Sequence, residues 1–331
     1  MAYRAADISV IIPVGNGSRL LGDVVRAVVA ASPAPGEVVV VDDRVRDGSL
    51  RGLPPNPLVR VVGNDGPPGP AAARNAGARA ARGPLLFFLD ADVFVPPDIF
   101  ARMAGAYGAG VDAVLGVEAE ITDLPNLASR YKNLWMRYTY LRLGREVELF
   151  YTSCASINRE VFLAAGGLDE KYSRPSVEDT AFGRTLAARG VAVRLEKTLE
   201  VEHRKIYNAR GVLATAFRRG AALARCVLRM GRRGGGNRTS VPTSFIASVA
   251  ATALFPAWAG AAFFVPDVAA LGAAATLAAI YALNARWLAF LAARRGALLA
   301  WGAVFLPLEA SASLAGGAWG CASFYLLRRR Y

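Results

Sequence analysis

The sequence predicts an α/β domain on a largely parallel central sheet, followed by a basic amphipathic helix and a helical membrane domain. Three observations carry this. Short β-branched runs alternate with helically spaced segments over the first 206 residues. One apolar run, Leu85 to Leu89, stops abruptly at Asp90-Ala91-Asp92. From Phe245 to Leu327 charge almost vanishes, leaving only Asp267, Arg286, Arg294, Arg295 and Glu309. At 331 residues the chain has room for a sizeable α/β domain and a second domain. The expected division is 1–206 for the α/β domain, 207–238 for the interface helix and linker, and 239–331 for the membrane domain.

Ile8 to Ile12, closed by Pro13, and Val38 to Val41, closed by Asp42-Asp43, read as central parallel strands. Unbroken β-branched runs of this kind are buried on both faces. Between them, Arg19 to Ala31 places Leu20, Val24, Val25 and Val28 on one side of a helix. Val59 to Val62 is a further strand, Gly66 to Pro70 a turn, and Ala71 to Ala81 an alanine-rich helix leading into the Asp90 strand. The order so far is β-α-β-β-α-β. Next come a helix over Pro97 to Tyr107, a strand over Ala113 to Val117 and a helix over Leu127 to Leu143. This last helix carries Tyr131, Trp135 and Tyr138 among Arg130, Lys132, Arg137 and Arg142. Tyr151 to Ile157 reads as a strand and Gly166-Gly167 as a tight turn. Glu178 to Arg189 is a helix ended by Gly190, and Val191 to Leu195 the last strand.

In Asn208 to Arg229 apolar positions recur at Val212, Ala216, Gly220, Leu223 and Val227, with Arg218, Arg225 and Arg229 opposite. Such a helix would lie in the headgroup plane, and a helix docked on the soluble domain is the alternative. The apolar region divides into spans of about 245–265, 268–293 and 297–327. The third is long and is interrupted by Pro307 and Glu309, so a re-entrant course is an open alternative. It would return Arg328-Arg329-Arg330 to the cytoplasmic side. Only Arg4 precedes the first strand and no cleavage site follows a hydrophobic core, so a signal peptide is not expected. The net charge of +13 concentrates before the first span, at Arg218, Arg219, Arg225, Arg229, Arg232, Arg233 and Arg238. That position points to an anionic membrane surface and away from nucleic acid. The expected location is a bacterial-type cytoplasmic (inner) membrane, crossed several times, with the α/β domain cytoplasmic. Cys154, Cys226 and Cys321 fit neither a disulfide framework nor a zinc spacing and read as small buried hydrophobes.

The chemistry gathers at strand and helix ends. Ligands of open α/β sheets sit beyond the carboxyl ends of the strands. Asp90 and Asp92 would stand there, offering hard oxygens that suit Mg²⁺ or Mn²⁺ shared with a diphosphate. Asp42 and Asp43 would lie at the same edge, placed to accept hydrogen bonds from a ribose or a base. Glu178-Asp179 opens a helix, where partial positive charge keeps a carboxylate ionised and competent as a general base. His203 is the only histidine, followed by Arg204 and Lys205. A lone histidine is more often structural; metal ligation or a phosphate contact is the sharper alternative.

Six ordered blocks carry a resemblance: Ser9-Val10-Ile11-Ile12-Pro13-Val14, Val39-Val40-Val41-Asp42-Asp43, Ala73-Arg74-Asn75-Ala76-Gly77, Phe87-Phe88-Leu89-Asp90-Ala91-Asp92, Gly166-Gly167-Leu168-Asp169-Glu170 and Glu178-Asp179-Thr180-Ala181-Phe182. From Ser9 to about Arg229 the chain resembles family-2 inverting glycosyltransferases of the nucleotide-sugar-binding GT-A fold, a Rossmann-like mixed sheet flanked by helices. The resemblance implies that Pro13, Asp42 and Asp43 line the nucleotide pocket and that Arg74 and Asn75 support the donor. It implies Asp92 as a metal ligand, with Asp90 near the ribose and sugar, and His203 at a metal-binding histidine position. Asp179 would be the catalytic base and Glu178 would orient the acceptor or the base.

The chain departs from the family in places. Arg44-Val45 stand where Gly-Ser usually follows the Asp pair, and Gly15 replaces an aromatic residue before Asn16. Processive relatives carry Gln-x-x-Arg-Trp, whereas this chain has no glutamine and shows Phe217-Arg218-Arg219-Gly220. The expectation is therefore a non-processive, membrane-anchored, metal-dependent hexosyltransferase. Its donor would be a nucleotide sugar, with a UDP-sugar expected, and its acceptor a lipid or lipid-linked molecule at the cytoplasmic membrane face. Tyr131, Trp135 and Tyr138 could line an acceptor groove, although core packing is the expected explanation for at least two of them. A sugar-nucleotide-forming nucleotidyltransferase is the rival enzyme, with Gly15-Asn16-Gly17-Ser18-Arg19 as a poor triphosphate loop. A non-catalytic membrane scaffold that senses nucleotide sugar is the other rival.

Overall fold

A computed structural model describes residues 3–108, 110–230, 239–294 and 296–331. Arg232, Arg233, Arg238, Arg295 and most of the linker before residue 239 therefore lie outside the described residues. The chain divides into two compact units. One is built on Met1–Ile121 and Tyr140–Lys205, the other on Thr122–Thr139, Ile206–Arg232 and Ser240–Tyr331. The segment Thr122–Thr139 thus groups with the C-terminal unit although it lies within 1–206.

The N-terminal unit begins with β1 (Ile8–Val14), α1 (Leu21–Val29), β2 (Glu37–Asp42), β3 (Val59–Gly63), α2 (Pro70–Ala80) and β4 (Leu85–Leu89). β5 (Val93–Phe94), α3 (Ile99–Ala106) and β6 (Ala113–Glu118) follow, then α4 (Leu127–Leu141), most of which belongs to the other unit. β7 (Glu146–Val147), β8 (Cys154–Asn158), α5 (Arg159–Ala164), α6 (Glu178–Ala188) and β9 (Val193–His203) complete it. The sheet order is β3-β2-β1-β4-β8-β6-β9-β5, with β7 also paired to β9. β1, β2, β3 and β4 are mutually parallel, β8 runs against β4 and β6, and β6 is parallel to β9. Every long strand except β8 therefore ends at one edge.

The sheet is covered on both faces, which explains its unbroken apolar strands. Ile8, Val10, Ile12, Val38, Val40, Leu85 and Phe87 share a core with Leu21, Val24, Val25 and Val28 of α1 and Phe100 and Met103 of α3. The opposite face meets α2 at Gly77, where an added Cβ would collide with Ile11 and Val41, so that helix can lie close only because the residue is glycine. Each fully buried valine or isoleucine contributes roughly 1.5–3 kcal/mol. The last strand is longer than the apolar run Val191 to Leu195 suggests. It continues to His203, because Leu199 and Val201 face the core while Glu200 and Glu202 alternate outward.

The C-terminal unit adds α7 (Ala209–Met230), α8 (Thr243–Ala251), α9 (Leu254–Ala261), α10 (Pro266–Leu283), α11 (Ala285–Ala292) and α12 (Gly296–Leu326). Among the described residues, three segments are long and apolar enough to cross a membrane: Thr243–Ala261, Pro266–Leu283 and Gly296–Leu326. The expected middle span is divided at Asn284, whose side chain donates to Ser248 Oγ at 2.6 Å and to the Ile280 carbonyl at 2.9 Å. α12 is one helix of 31 residues, roughly 46 Å long, with Pro307 inside it. Proline removes the N–H that would bond the carbonyl of Ala303, and the Tyr281 hydroxyl takes its place at 2.9 Å.

The apolar side of α7 is covered within the unit. Its buried residues are Val212, Ala221, Ala222 and Cys226, a stripe shifted from the expected one. Gly220 of α7 and Gly316 and Gly320 of α12 each leave no room for a Cβ against the facing helix, the close approach that small residues permit. Arg218 and Arg219 remain exposed. Tyr131, Trp135 and Tyr138 pack around Trp287 with ring centroids 5.5, 5.1 and 5.1 Å away, so core packing claims all three. Beside them Lys132 Nζ meets Glu309 Oε1 at 2.9 Å, both nearly buried. Cys154 and Cys226 are buried as expected, whereas Cys321 is exposed.

Candidate active site

Strand direction sets the site. The carboxyl ends of β1, β2, β4, β6 and β9 bring Pro13, Asp42, Asp90, Glu118 and His203 to one edge, and β8 enters there with Ser153 just before Cys154. The short β5–β9 pairing sets Val93 opposite His203 and lets Arg204 N–H bond the Asp92 carbonyl at 2.9 Å. Asp92 and His203 become neighbours although 111 positions separate them. One ligand atom from each of Asp90, Asp92 and His203 lies within 4.8 Å of the others. His203 Nε2 is 3.3 Å from Asp92 Oδ1, and Nδ1 is 3.0 Å from Glu118 Oε1. Two carboxylate oxygens and one imidazole nitrogen at this spacing fit a divalent cation of the Mg²⁺ or Mn²⁺ kind.

Asp90 sits between a cation and a hydroxyl. Arg74 Nη2 donates to its Oδ1 at 2.5 Å and Ser153 Oγ to its Oδ2 at 2.6 Å. Burial alone would raise its pKa, but Arg74 first and His203 next outweigh that and hold it at about 2. Arg74 is itself buried, which opposes its charge, yet Asp90, Glu178 and Asp179 raise its pKa and keep it a cation. Its Nη1 lies 3.5 Å from Glu178 Oε1, and its Nε and Nη1 make no hydrogen bond among the described residues. For His203, burial would lower the pKa; Glu118 foremost, with Asp92, raises it well above the usual histidine range.

The other expected residues fall into two groups. Asp42 and Asp43 organise the loops around the β2 edge: Asp42 Oδ1 accepts from Val45 N–H at 2.8 Å, and Asp43 accepts from Asn64 Nδ2 at 2.7 Å and Gly69 N–H at 2.8 Å. Gly69 has φ +140 and its Cβ would meet Ser173 backbone at 2.9 Å, so no other residue fits that grip. Pro13 is half-buried beside Val41. Asn75 donates to the Leu168 carbonyl at 2.8 Å and accepts from Leu168 N–H at 2.9 Å, pinning the Gly166–Glu170 turn. At the start of α6, Glu178 is buried and accepts from Ser176 N–H at 2.8 Å, while Asp179 is half-buried with Oδ1 accepting from Thr180 N–H at 2.6 Å. Arg74 thus links the Asp90 group to the first turn of α6.

Glu118, Tyr151 and Ser153 are absent from the sequence-based set of site residues. Glu118 had a signal: like Asp90, it is an acid closing an apolar run at the carboxyl end of a strand. Arg44 also stands out, with φ +63 at the position after the Asp pair and Nη2 donating to the Gly66 carbonyl at 2.9 Å.

Residues 9–164 match the family model described as glycosyl transferase family 2. Succinoglycan biosynthesis protein ExoO of Rhizobium meliloti (strain 1021) is 34% identical over 142 residues, covering 38% of this chain and 41% of that protein. Undecaprenyl-phosphate 4-deoxy-4-formamido-L-arabinose transferase of Pseudomonas aeruginosa (strain LESB58) is 35% identical over 125 residues, covering 35% of this chain and 37% of that one. The chain spans less than half the length of these curated relatives. Among solved structures, the mannosyltransferase PcManGT from Pyrobaculum calidifontis, in complex with GDP-Man and Mn²⁺, superposes with TM-score 0.60 at 22% identity, covering 96% of this chain and 88% of that one. The fold is accordingly GT-A-like.

Proposed function

We propose that the chain, whose residues 9–164 match the glycosyl transferase family 2 model, transfers a sugar from a nucleoside-diphosphate sugar to a lipid or lipid-linked acceptor, inverting the anomeric carbon. The observation that carries the reading is the convergence of Asp90, Asp92 and His203 at the carboxyl edge of the sheet. These three residues would hold a divalent cation, which would supply charge neutralisation for the departing nucleoside diphosphate. Mg²⁺ and Mn²⁺ both suit the oxygens, and the solved neighbour holds Mn²⁺. Arg74 keeps Asp90 ionised at neutral pH and adds positive charge behind it. Asp42, Asp43 and Pro13 would receive the base and ribose, and Asn75 would steady the turn beside the donor sugar.

Asp179 is the proposed general base. Its place in the first turn of α6 favours the ionised form, which can take the proton of an acceptor hydroxyl as that oxygen attacks. Glu178, fixed by Ser176 N–H and facing Arg74, holds that turn in place. A lipid acceptor draws support from the name of the undecaprenyl-phosphate relative and from the three apolar segments. A UDP-sugar is the first donor to test, and a GDP-sugar the second, since the solved neighbour holds GDP-Man. The site would work at the cytoplasmic face of a bacterial-type inner membrane crossed several times. The nucleotidyltransferase alternative is weaker, because the Gly15–Arg19 loop already commits its Gly17 N–H to the Asp47 carboxylate.

Full-length protein in detergent, given polyprenyl phosphate, Mn²⁺ and a panel of labelled UDP- and GDP-sugars, should release nucleoside diphosphate and form a lipid-soluble product. Chelation with EDTA should stop the reaction. Asp179→Asn should keep donor binding and lose about 10²–10⁴-fold in turnover. Turnover near wild type in that variant would remove Asp179 from its role, and release of pyrophosphate from a triphosphate would replace the reading altogether.

A further inference from the structure

We propose that Glu118 is a positioning residue that fixes the tautomer and ring orientation of His203, so that Nε2 is the nitrogen offered to a cation at Asp90 and Asp92. The inference rests on the metal reading of that trio and goes beyond it, by giving a residue outside the ligand set control over one ligand. Glu118 ends β6, in register with Val201 on β9, two residues before His203. Its Oε1 lies 3.0 Å from His203 Nδ1 and also accepts from the Tyr151 hydroxyl. A carboxylate that accepts from two groups offers Nδ1 only an acceptor, so Nδ1 must be protonated and Nε2 is the nitrogen left for a cation. Nε2 then faces Asp92 Oδ1, 3.3 Å away, where a bound cation would take the place of its proton.

Backbone and ring are fixed separately. β9 lies between β6 and β5, so pairing with Val93 sets the His203 main chain, while Glu118 sets the ring plane. Tyr151, itself buried, holds the Glu118 carboxylate in turn. The side chains of Glu118 and His203 are 5% and 10% exposed. Burying a carboxylate is costly, and an apolar side chain would close an apolar strand at less expense in free energy. The arrangement has the form of a carboxylate behind a metal-binding histidine, where the outer partner typically changes metal affinity 10- to 100-fold.

The role makes a prediction that a structural role does not. Imidazole nitrogen suits Mn²⁺ better than Mg²⁺, which takes oxygen ligands by preference. Loss of orientation at Nε2 should therefore weaken Mn²⁺ selectively. In the full chain without nucleotide, free Mn²⁺ counted by EPR should give a Kd raised about 10- to 100-fold by Glu118→Gln. Mg²⁺ competition should change by less than about threefold. Equal loss for both ions, or unchanged Mn²⁺ affinity, overturns the proposal. Absence of Mn²⁺ binding in the wild type overturns the metal reading itself and is distinguishable from either.

A second measurement needs no variant. His203 is the single histidine of the chain, so ¹⁵N-histidine labelling yields one ring. With Cd²⁺ as a diamagnetic probe, Nδ1 should show the protonated shift and Nε2 should move on metal addition. If the metal moves Nδ1 instead, Glu118 does not set the tautomer, whether or not Glu118→Gln folds.

Discussion

Arg74→Met would remove the one cation that, among the described residues, faces both Asp90 and Glu178. The Arg74 side chain is 6% exposed, 2.5 Å from Asp90 Oδ1 and 3.5 Å from Glu178 Oε1. The Asp90 carboxyl drops from 3.8 to about 2 against the opposing effect of burial, which corresponds to roughly 2.4 kcal/mol of preference for the ionised folded form. Arg74 is the largest of the groups lowering it, ahead of His203 and Ser153. Glu178, 7% exposed, would also be left without its cation. Stranding buried charge in this way costs about 3–5 kcal/mol. All five tryptophans, Trp135, Trp258, Trp287, Trp301 and Trp319, belong to the C-terminal unit, so intrinsic fluorescence would not report this change. Hydrogen exchange of β4 amides in EDTA, read by mass spectrometry, would. Exchange there should accelerate by about two to three and a half decades at pH 7. Because the folded-state pKa of Asp90 is depressed, the difference is complete above about pH 4 and shrinks as pH falls toward 2. Acceleration of less than about tenfold at pH 7 would refute the claim that Arg74 holds the site's charges together.

Glu37 accepts from Ser9 Oγ at 2.7 Å, Arg82 N–H at 2.5 Å and Arg60 Nε at 2.8 Å. Burial pushes its carboxyl up, but these bonds, the Arg82 amide first, bring it below the ordinary value. Its stabilisation is thus present above about pH 4.5 and lost as pH falls; Glu37→Gln should cost about 1–3 kcal/mol at pH 7 and flatten the acid limb of an exchange-versus-pH profile. Gly167→Ala should destabilise by about 1–3 kcal/mol and raise the KM for donor. Its φ is +66 and the new Cβ would sit 2.6 Å from Asn75 Oδ1, prising the side chain from Leu168; an unchanged melting point would contradict this. Tyr281→Phe leaves the Ala303 carbonyl without its hydroxyl donor and should cost about 1 kcal/mol, seen as a fall of roughly 3–6 °C in the tryptophan-fluorescence midpoint.

Much of the N-terminal unit was legible because parallel strands buried on both faces are long apolar runs ending in the acids that matter. Asp42 and Asp90 announce themselves in this way. The rest depends on pairing that no local pattern records. β5 is two residues long, and the polar half of β9 carries Glu196, Lys197, Glu200 and Glu202, so nothing local says that Asp92 and His203 meet. Glu118 was readable as an acid at a strand end but not as a partner of His203, since the β6–β9 register shifts between Leu115 and Val117. The aromatic residues of α4 suggested a groove because a one-dimensional pattern cannot reveal that Trp287 will fill the space between them. The third apolar segment suggested a break at Pro307 because the hydroxyl that mends it comes from Tyr281, 26 positions earlier.

The chain leaves the N-terminal unit after Ile121 and returns at Tyr140, and the stretch between is claimed by the other unit. Shortening the protein at Lys205 to obtain a soluble fragment would therefore not be a clean cut. Such a fragment would keep Tyr131, Leu134 and Trp135 without the Trp287 and Phe245 rings that cover them. It would keep Lys132 without Glu309. A bare aromatic patch with a stranded ammonium group invites self-association. The same fragment with Tyr131, Leu134 and Trp135 exchanged for polar helix formers should stay dispersed.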